Sequence, residues 1–120
     1  MPESIPGRSP ALSVRRPLGR PSEAEPEWRE AIRLKPDSSE LHRRLGDLLH
    51  ERGALEDARQ EYGEALRYDS RSAEAHNNLG VVLARLGRRD EAIAHLKTAL
   101  DLQPNYTDAR TNLEKVMQRK

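Results

Sequence analysis

The chain repeats itself at an interval of 34 residues, and this period limits its possible folds more than any other feature. Leu45 and Gly46 recur as Leu79 and Gly80, Gly53 as Gly87, Ala58 as Ala92, and Ala65 and Leu66 as Ala99 and Leu100. Pro36 is followed at the same interval by Ser70 and Pro104, Glu40 by Glu74 and Asp108, and Leu49 by Leu83 and Met117. A unit this short cannot enclose a core alone. It must stack, each unit burying one stripe against the next. The composition suits a stack: 35% of the 120 residues are apolar and 34% charged, which is thin for a round core.

Each period splits into two helical stretches. In the first copy Leu41, Leu45, Leu48 and Leu49 keep helical spacing, Gly53 interrupts it, and Leu55, Ala58, Tyr62, Ala65 and Leu66 resume it. In the second copy Ala75, Leu79, Val82, Leu83 and Leu86 precede Gly87, and Ala92, Ile93, Leu96, Ala99 and Leu100 follow it. The spacing predicts helices near 39–52, 55–68, 73–86, 89–102 and 106–118. Asp37 with Glu40, and Asn105 with Asp108, stand three apart at helix starts in the manner of capping boxes. Gly46 and Gly80 fall inside helices, where glycine costs about 1 kcal/mol relative to alanine. That cost makes sense where a second helix approaches closely, and Ala58 and Ala92 are expected opposite them.

The pattern is similar to that of the tetratricopeptide repeat family. The family signature pairs Leu-Gly in the first helix with a turn glycine, two alanines seven apart in the second helix, and a boundary proline. The copies here read HRRLGDLL…G…A…Y…AL and HNNLGVVL…G…A…L…AL, and the match covers residues 39–106. His42 and His76 depart from it, standing where the family carries a bulky aromatic, and an aromatic position met by Tyr62 becomes Leu96 in the second copy. The resemblance implies an all-α fold: a right-handed superhelical stack of antiparallel helix pairs, a TPR-like α-solenoid.

Residues 1–22 are expected to form a disordered Pro/Arg-rich tail, because Pro2, Pro6, Pro10, Pro17 and Pro21 oppose a long helix. Residues 23–120 are expected to form the repeat domain: a partial repeat at 23–38, full repeats at 39–72 and 73–106, and a capping helix at 107–120. In the partial repeat Ala24, Trp28, Ala31, Ile32, Leu34 and Pro36 keep register with a second helix, and they would pack on one neighbour only. Its missing first half also fits a piece of a longer repeat protein. In the capping helix Ala109, Leu113 and Met117 match a first helix, and Glu114, Lys115, Gln118, Arg119 and Lys120 give it a polar outer face.

In a stack of this kind the first helices line a concave surface. The resemblance then implies peptide contacts at Arg43, Arg44, Asp47 and His50, at Asn77, Asn78, Val81 and Arg85, and at Thr111, Asn112 and Lys115. Arg44, Asn78 and Asn112 fall at one period, a short version of the asparagine ladder found in the superhelical domain of O-linked N-acetylglucosamine transferases. The family also includes carboxylate clamps for acidic C-terminal tails of heat-shock chaperones. By register such a clamp asks for Lys and Asn at Arg43 and Asp47, Asn at Asn78, and Lys and Arg at Asp108 and Asn112. Only Arg43 and Asn78 are compatible, and Asp47 and Asp108 repel a carboxylate, so no chaperone-tail clamp is expected.

Other function classes find little support. A net charge of +1, from 21 basic and 20 acidic side chains, is not the footprint of a nucleic-acid binder. No apolar run approaches the roughly 20 residues needed to cross a membrane. The acid-poor, Arg- and Ser-rich N-terminus shares a composition with organelle transit peptides, but its prolines oppose the amphipathic helix these need. Arg15, Arg16 and Arg20 read as part of a solvated linker. Cysteine is absent, which excludes disulfides and thiolate metal sites and fits a reducing, cytoplasmic setting. His42 and His76 read as packing or surface histidines rather than a metal pair, and no nucleophile elbow, phosphate loop or zinc motif occurs. The chain is therefore read as a protein–protein interaction scaffold or adaptor for a protein or peptide ligand, with no cofactor, metal or enzymatic activity. The alternative is a self-associating structural subunit whose open stack ends mediate homo-oligomerisation.

Overall fold

A computed structural model describes residues 21–118, which form six α-helices. These are α1 (Pro21–Leu34), α2 (Ser39–Glu51), α3 (Leu55–Tyr68), α4 (Ala73–Arg85), α5 (Arg89–Leu102) and α6 (Thr107–Gln118). Among the described residues there is no strand. The tail expected over 1–22 falls, for residues 1–20, outside the described residues. Pro21 corrects its boundary, because it opens α1. Proline suits a first helical position, where its missing N–H has no intrahelical acceptor to lose.

The helix ends follow local chemistry. Ser38 caps α2 by accepting from the Leu41 amide at 3.2 Å, and Ser72 caps α4 by accepting from the Ala75 amide at 3.1 Å. The capping box placed on Asp37 and Glu40 is thus corrected. The residue immediately before the helix reaches its orphan amides, and Asp37 lies one position too far out. Likewise α6 begins at Thr107, so Tyr106 and not Asn105 holds the cap position, and its carbonyl takes the Arg110 amide at 3.1 Å. Gly53 and Gly87 close α2 and α4 with φ of 81° and 83°. The paired return bonds, Gly53 to the His50 carbonyl and Ala54 to the Leu49 carbonyl, need that left-handed residue.

The helices stack in order. α2 pairs with α3 and α4 with α5, α3 packs on α4, and α1 and α6 flank the two pairs. The result measures 60 × 25 × 24 Å, elongated as a one-dimensional stack requires. Leu45, Leu49, Ala58, Tyr62, Val82, Ala92 and Leu96 form its buried spine. The two helix-interior glycines permit the close pairing. A Cβ on Gly46 would lie 2.7 Å from Tyr62 Cε1, and one on Gly80 would lie 2.7 Å from Leu96 Cγ. Tyr62 and Leu96, rather than Ala58 and Ala92, are therefore the side chains set against these glycines. Only the Ala92 carbonyl, 3.2 Å from the Gly80 site, keeps part of the expected contact.

The two ends differ from the repeats between them. On α1, Ala24, Trp28 and Ile32 pack against the core. Leu34 was expected to pack with them but is 66% exposed, because it falls in the last turn of α1. On α6, Ala109 and Val116 are buried, yet Met117 is 52% exposed although its counterparts Leu49 and Leu83 are 2% exposed. Those leucines belong to helices that are backed by the second helix of their own pair. Among the described residues α6 has none. Glu114 stands where Gly46 and Gly80 stand in the full repeats.

Candidate functional site

Of the first helices, α4 touches both α2 and α6, so their equivalent faces form one continuous surface. A connected set of hydrogen bonds crosses it. Asn112 Nδ2 donates to Asn77 Oδ1 at 2.9 Å. Asn77 Nδ2 donates to Asn78 Oδ1 at 3.2 Å and to the Tyr106 hydroxyl at 3.4 Å. Asn78 Nδ2 donates to Asp47 Oδ1 at 3.0 Å, and that oxygen also accepts from the Tyr62 hydroxyl. Arg43 donates to Asp47 Oδ2 at 3.3 Å and to Glu74 at 3.1 Å. The period places these side chains side by side, but the bonds join unlike positions on neighbouring helices.

Asp47 is consequently not a bare charge on the surface. It is held by a guanidinium, a carboxamide and a phenol. Burial, and then the Asp47 carboxylate beside it, push the Tyr62 hydroxyl far above the usual phenol range, so it acts as a donor only. Tyr106 is pushed up for a similar reason: burial first, then the nearby Glu74 and Asp108 carboxylates. His50 is held below the ordinary histidine value by burial first and then by Arg85, against the opposing pull of Asp47 and Glu51. A neutral His50 ring offers one donor and one acceptor.

An open groove of about 410 Å³ lies between α4 and α6, beside the end of α2. His50, Asn77, Asn78, Val81, Thr111, Asn112 and Lys115 line it, as does Asp108. Seven of the expected contact residues are thus gathered in one place. Arg43 and Asp47 stand on α2 at the end of the ladder as its ionic anchor. Arg44 is half exposed and paired with Glu40 at 3.2 Å, outside the groove, and Arg85 is exposed. Sequence reasoning missed Asp108 as a groove component and Tyr106 as a hydrogen-bond partner of Asn77. Their only signal was one-period spacing from Glu74 and Ser72.

The departures at His42 and His76 have a structural use. Both rings are buried, and each donates from Nε2 to a repeat-boundary carbonyl: Pro36 at 2.8 Å and Ser70 at 2.9 Å. Each ring nitrogen Nδ1 then meets the second helix of its own pair, at Glu61 and His95 respectively. Among the described residues no group of three or more metal-ligating side chains converges, and no helix is long and apolar enough to cross a membrane.

The chain matches the family described as TPR repeat over residues 46–87 and the family described as tetratricopeptide repeat over residues 73–106. It belongs to the tetratricopeptide repeat family. Solved structures agree on the all-α solenoid fold. The chain is similar to MamA at 20% identity and a TM-score of 0.82, covering 89% of this chain and 63% of that one. It is similar to YrrB, described as a TPR protein with an unusual peptide-binding site, at 27% identity and a TM-score of 0.78, covering 86% of this chain and 53% of that one. It is also similar to the second TPR domain of the human RPAP3 protein, solved in complex with the HSP70 peptide SGPTIEEVD. There the identity is 20% and the TM-score 0.84, over 92% of each chain. The chain thus spans less than two thirds of MamA and about half of YrrB. No curated protein sequence matches it. As a tetratricopeptide repeat protein it carries its first helices, α2, α4 and α6, on the face that holds the groove.

Proposed function

We propose that this chain is a protein–protein interaction scaffold, without catalytic chemistry, that captures an extended peptide or protein segment along α2, α4 and α6. The ordered carboxamide ladder carries this reading. Asn112 spends one donor internally, Asn78 spends one donor and accepts one bond from Asn77, and both keep the rest of their hydrogen-bonding capacity beside a groove. A peptide backbone is the ligand that asks for donors and acceptors at regular spacing. Because the ladder is already fixed, little ordering entropy opposes binding. The peptide-bound RPAP3 domain and the peptide-binding site of YrrB support the same reading by analogy of fold.

The test is affinity capture with the whole chain and with Asn112→Ala, followed by mass spectrometry of the retained proteins. Asn112→Ala is expected to weaken retention of the main partner about tenfold, the loss of one well-placed polar contact. An unchanged set of retained proteins at unchanged yield counts decisively against the groove. A peptide ending in Glu-Glu-Val-Asp serves as a comparison and is expected to show no low-micromolar binding. Arg43 is spent on Asp47 and Glu74, and Asp108 stands in the groove where an acidic tail needs a cation.

Self-association is the second reading, and one observation favours it. On α1, Ala24, Trp28 and Ala31 are only partly buried, whereas their counterparts Ala58, Tyr62 and Ala65 are 0% exposed. Head-to-tail stacking would seat Trp28 of one copy on α6 of the next. There Glu114 replaces the glycine that makes room for Tyr62 and Leu96. A filament is therefore disfavoured, and sedimentation velocity is expected to give a monomer across a hundredfold range of concentration. A mass that grows with concentration would restore the assembly reading.

A further inference from the structure

We propose that the His76–His95 contact is an acid-labile joint, which loosens the second helix pair on acidification while the first pair, built on His42 and Glu61, holds. The two contacts are the same position one period apart, since Glu61 and His95 are also 34 residues apart. In the first pair, His42 donates from Nε2 to the Pro36 carbonyl, and its Nδ1 lies 2.8 Å from Glu61 Oε1. A second proton on that ring meets a carboxylate oxygen, which accepts it as a hydrogen bond.

In the second pair, His76 donates from Nε2 to the Ser70 carbonyl, so its Nδ1 is bare in the neutral ring. His95 Nδ1 then donates to it at 3.0 Å, with the rings stacked at a centroid distance of 5.2 Å. The pair can hold one extra proton by exchanging the tautomer of His95. A second extra proton sets two N–H groups and two cations against each other. Burial first, and then the neighbouring His76, hold His95 below the ordinary histidine value, with Glu91 opposing. Those are the titratable groups that face it: His76 from α4, and Glu91 on its own helix, itself paired with Arg88 at 2.6 Å.

The sign follows by linkage. A histidine whose folded value is depressed binds fewer protons in the fold than in the unfolded chain. Its contribution is present above the ordinary value of about 6.5 and is lost as the pH falls through the folded value. His50 is depressed as well, so the joint must be isolated by substitution. His95→Glu converts the second pair to the chemistry of the first.

The experiment is thermal unfolding by circular dichroism of the full chain, wild type and His95→Glu. It is run in EDTA at about pH 7.5 and about pH 5.5, on either side of the histidine range. The wild type is expected to lose about 5 °C more in Tm on acidification than His95→Glu does. An equal loss in both proteins overturns the joint. Should His95→Glu fail to fold, amide exchange on the wild type decides. At about pH 5.5, after correction for intrinsic rates, α5, which carries His95, is expected to lose about tenfold more protection than α3, which carries Glu61; α2 is left out of the comparison because it carries His50. Equal loss in α5 and α3 overturns it.

Discussion

Tyr62→Ala is expected to destabilise the chain by about 4 kcal/mol, the range for truncating a fully buried aromatic side chain. Tyr62 is 0% exposed and is the largest of the fully buried side chains. Its ring lies against Gly46 and joins α3 to α2, so removing it empties the tightest point of the first pair. A glycine beneath the hole cannot fill it. The change also removes a donor from Asp47, leaving Asn78 and Arg43 to hold that carboxylate. Tyr62→Leu separates the two contributions, because Leu96 does the same packing one period later. It should cost only about 1–2 kcal/mol, for the lost hydrogen bond and some volume. Urea unfolding followed by circular dichroism measures both. Should Tyr62→Ala cost less than about 1 kcal/mol, the ring is not what holds the first pair together.

Gly46→Ala is expected to lower stability by about 1 kcal/mol net, although alanine is the better helix former by about 1 kcal/mol. The added Cβ would stand 2.7 Å and 2.8 Å from two carbons of the Tyr62 ring. That ring cannot swing away: it is fully buried and its hydroxyl is tied to Asp47. Overpacking of this sort costs about 1–3 kcal/mol, which outweighs the helical gain. Gly63→Ala supplies the control. Gly63 lies within α3 with nothing within 4 Å of its Cβ position, so the same exchange there should raise stability by about 1 kcal/mol. Opposite signs at two helical glycines on one urea scale distinguish close approach from propensity. Stabilisation at both would mean that α2 and α3 can part without penalty.

The helices were legible because apolar spacing is a property of neighbours in the chain. The predicted spans at 55–68 and 89–102 coincide with α3 and α5, and the others differ by one residue at an end. The cap at Ser38 was hidden by Asp37 and Glu40, an acidic pair three apart that has the form of a box. Which residue caps depends on where the first helical turn starts, a matter of one position. The exposure of Met117 was not legible in the period. Periodicity assigns it the place of Leu49 and Leu83 but does not say whether a second helix backs that place.

The candidate groove divides in the same way. His50, Asn77, Asn78, Val81, Thr111, Asn112 and Lys115 were selected by register and do line one groove. Register alone treated Asn78 and Asn112 as free rungs and Asp47 as a repelling charge. Their bonds span 31 and 35 residues of sequence, and Asp47 meets Tyr62 across 15, so only the packed helices reveal them.

The sequence by itself determined the period, the alternation of helix and turn, and the glycine positions at which antiparallel helices approach. These rest on backbone propensity and on apolar spacing, which act locally and repeat with each unit. Only the tertiary structure decided how the polar groups are spent. It ties Asp47 down, turns one donor of each asparagine inward, and sets His42 against a carboxylate but His76 against a second histidine. A hydrogen bond requires two groups within about 3 Å and suitably aligned. That condition is met between helices, where one residue of difference per period changes the chemistry without changing the fold.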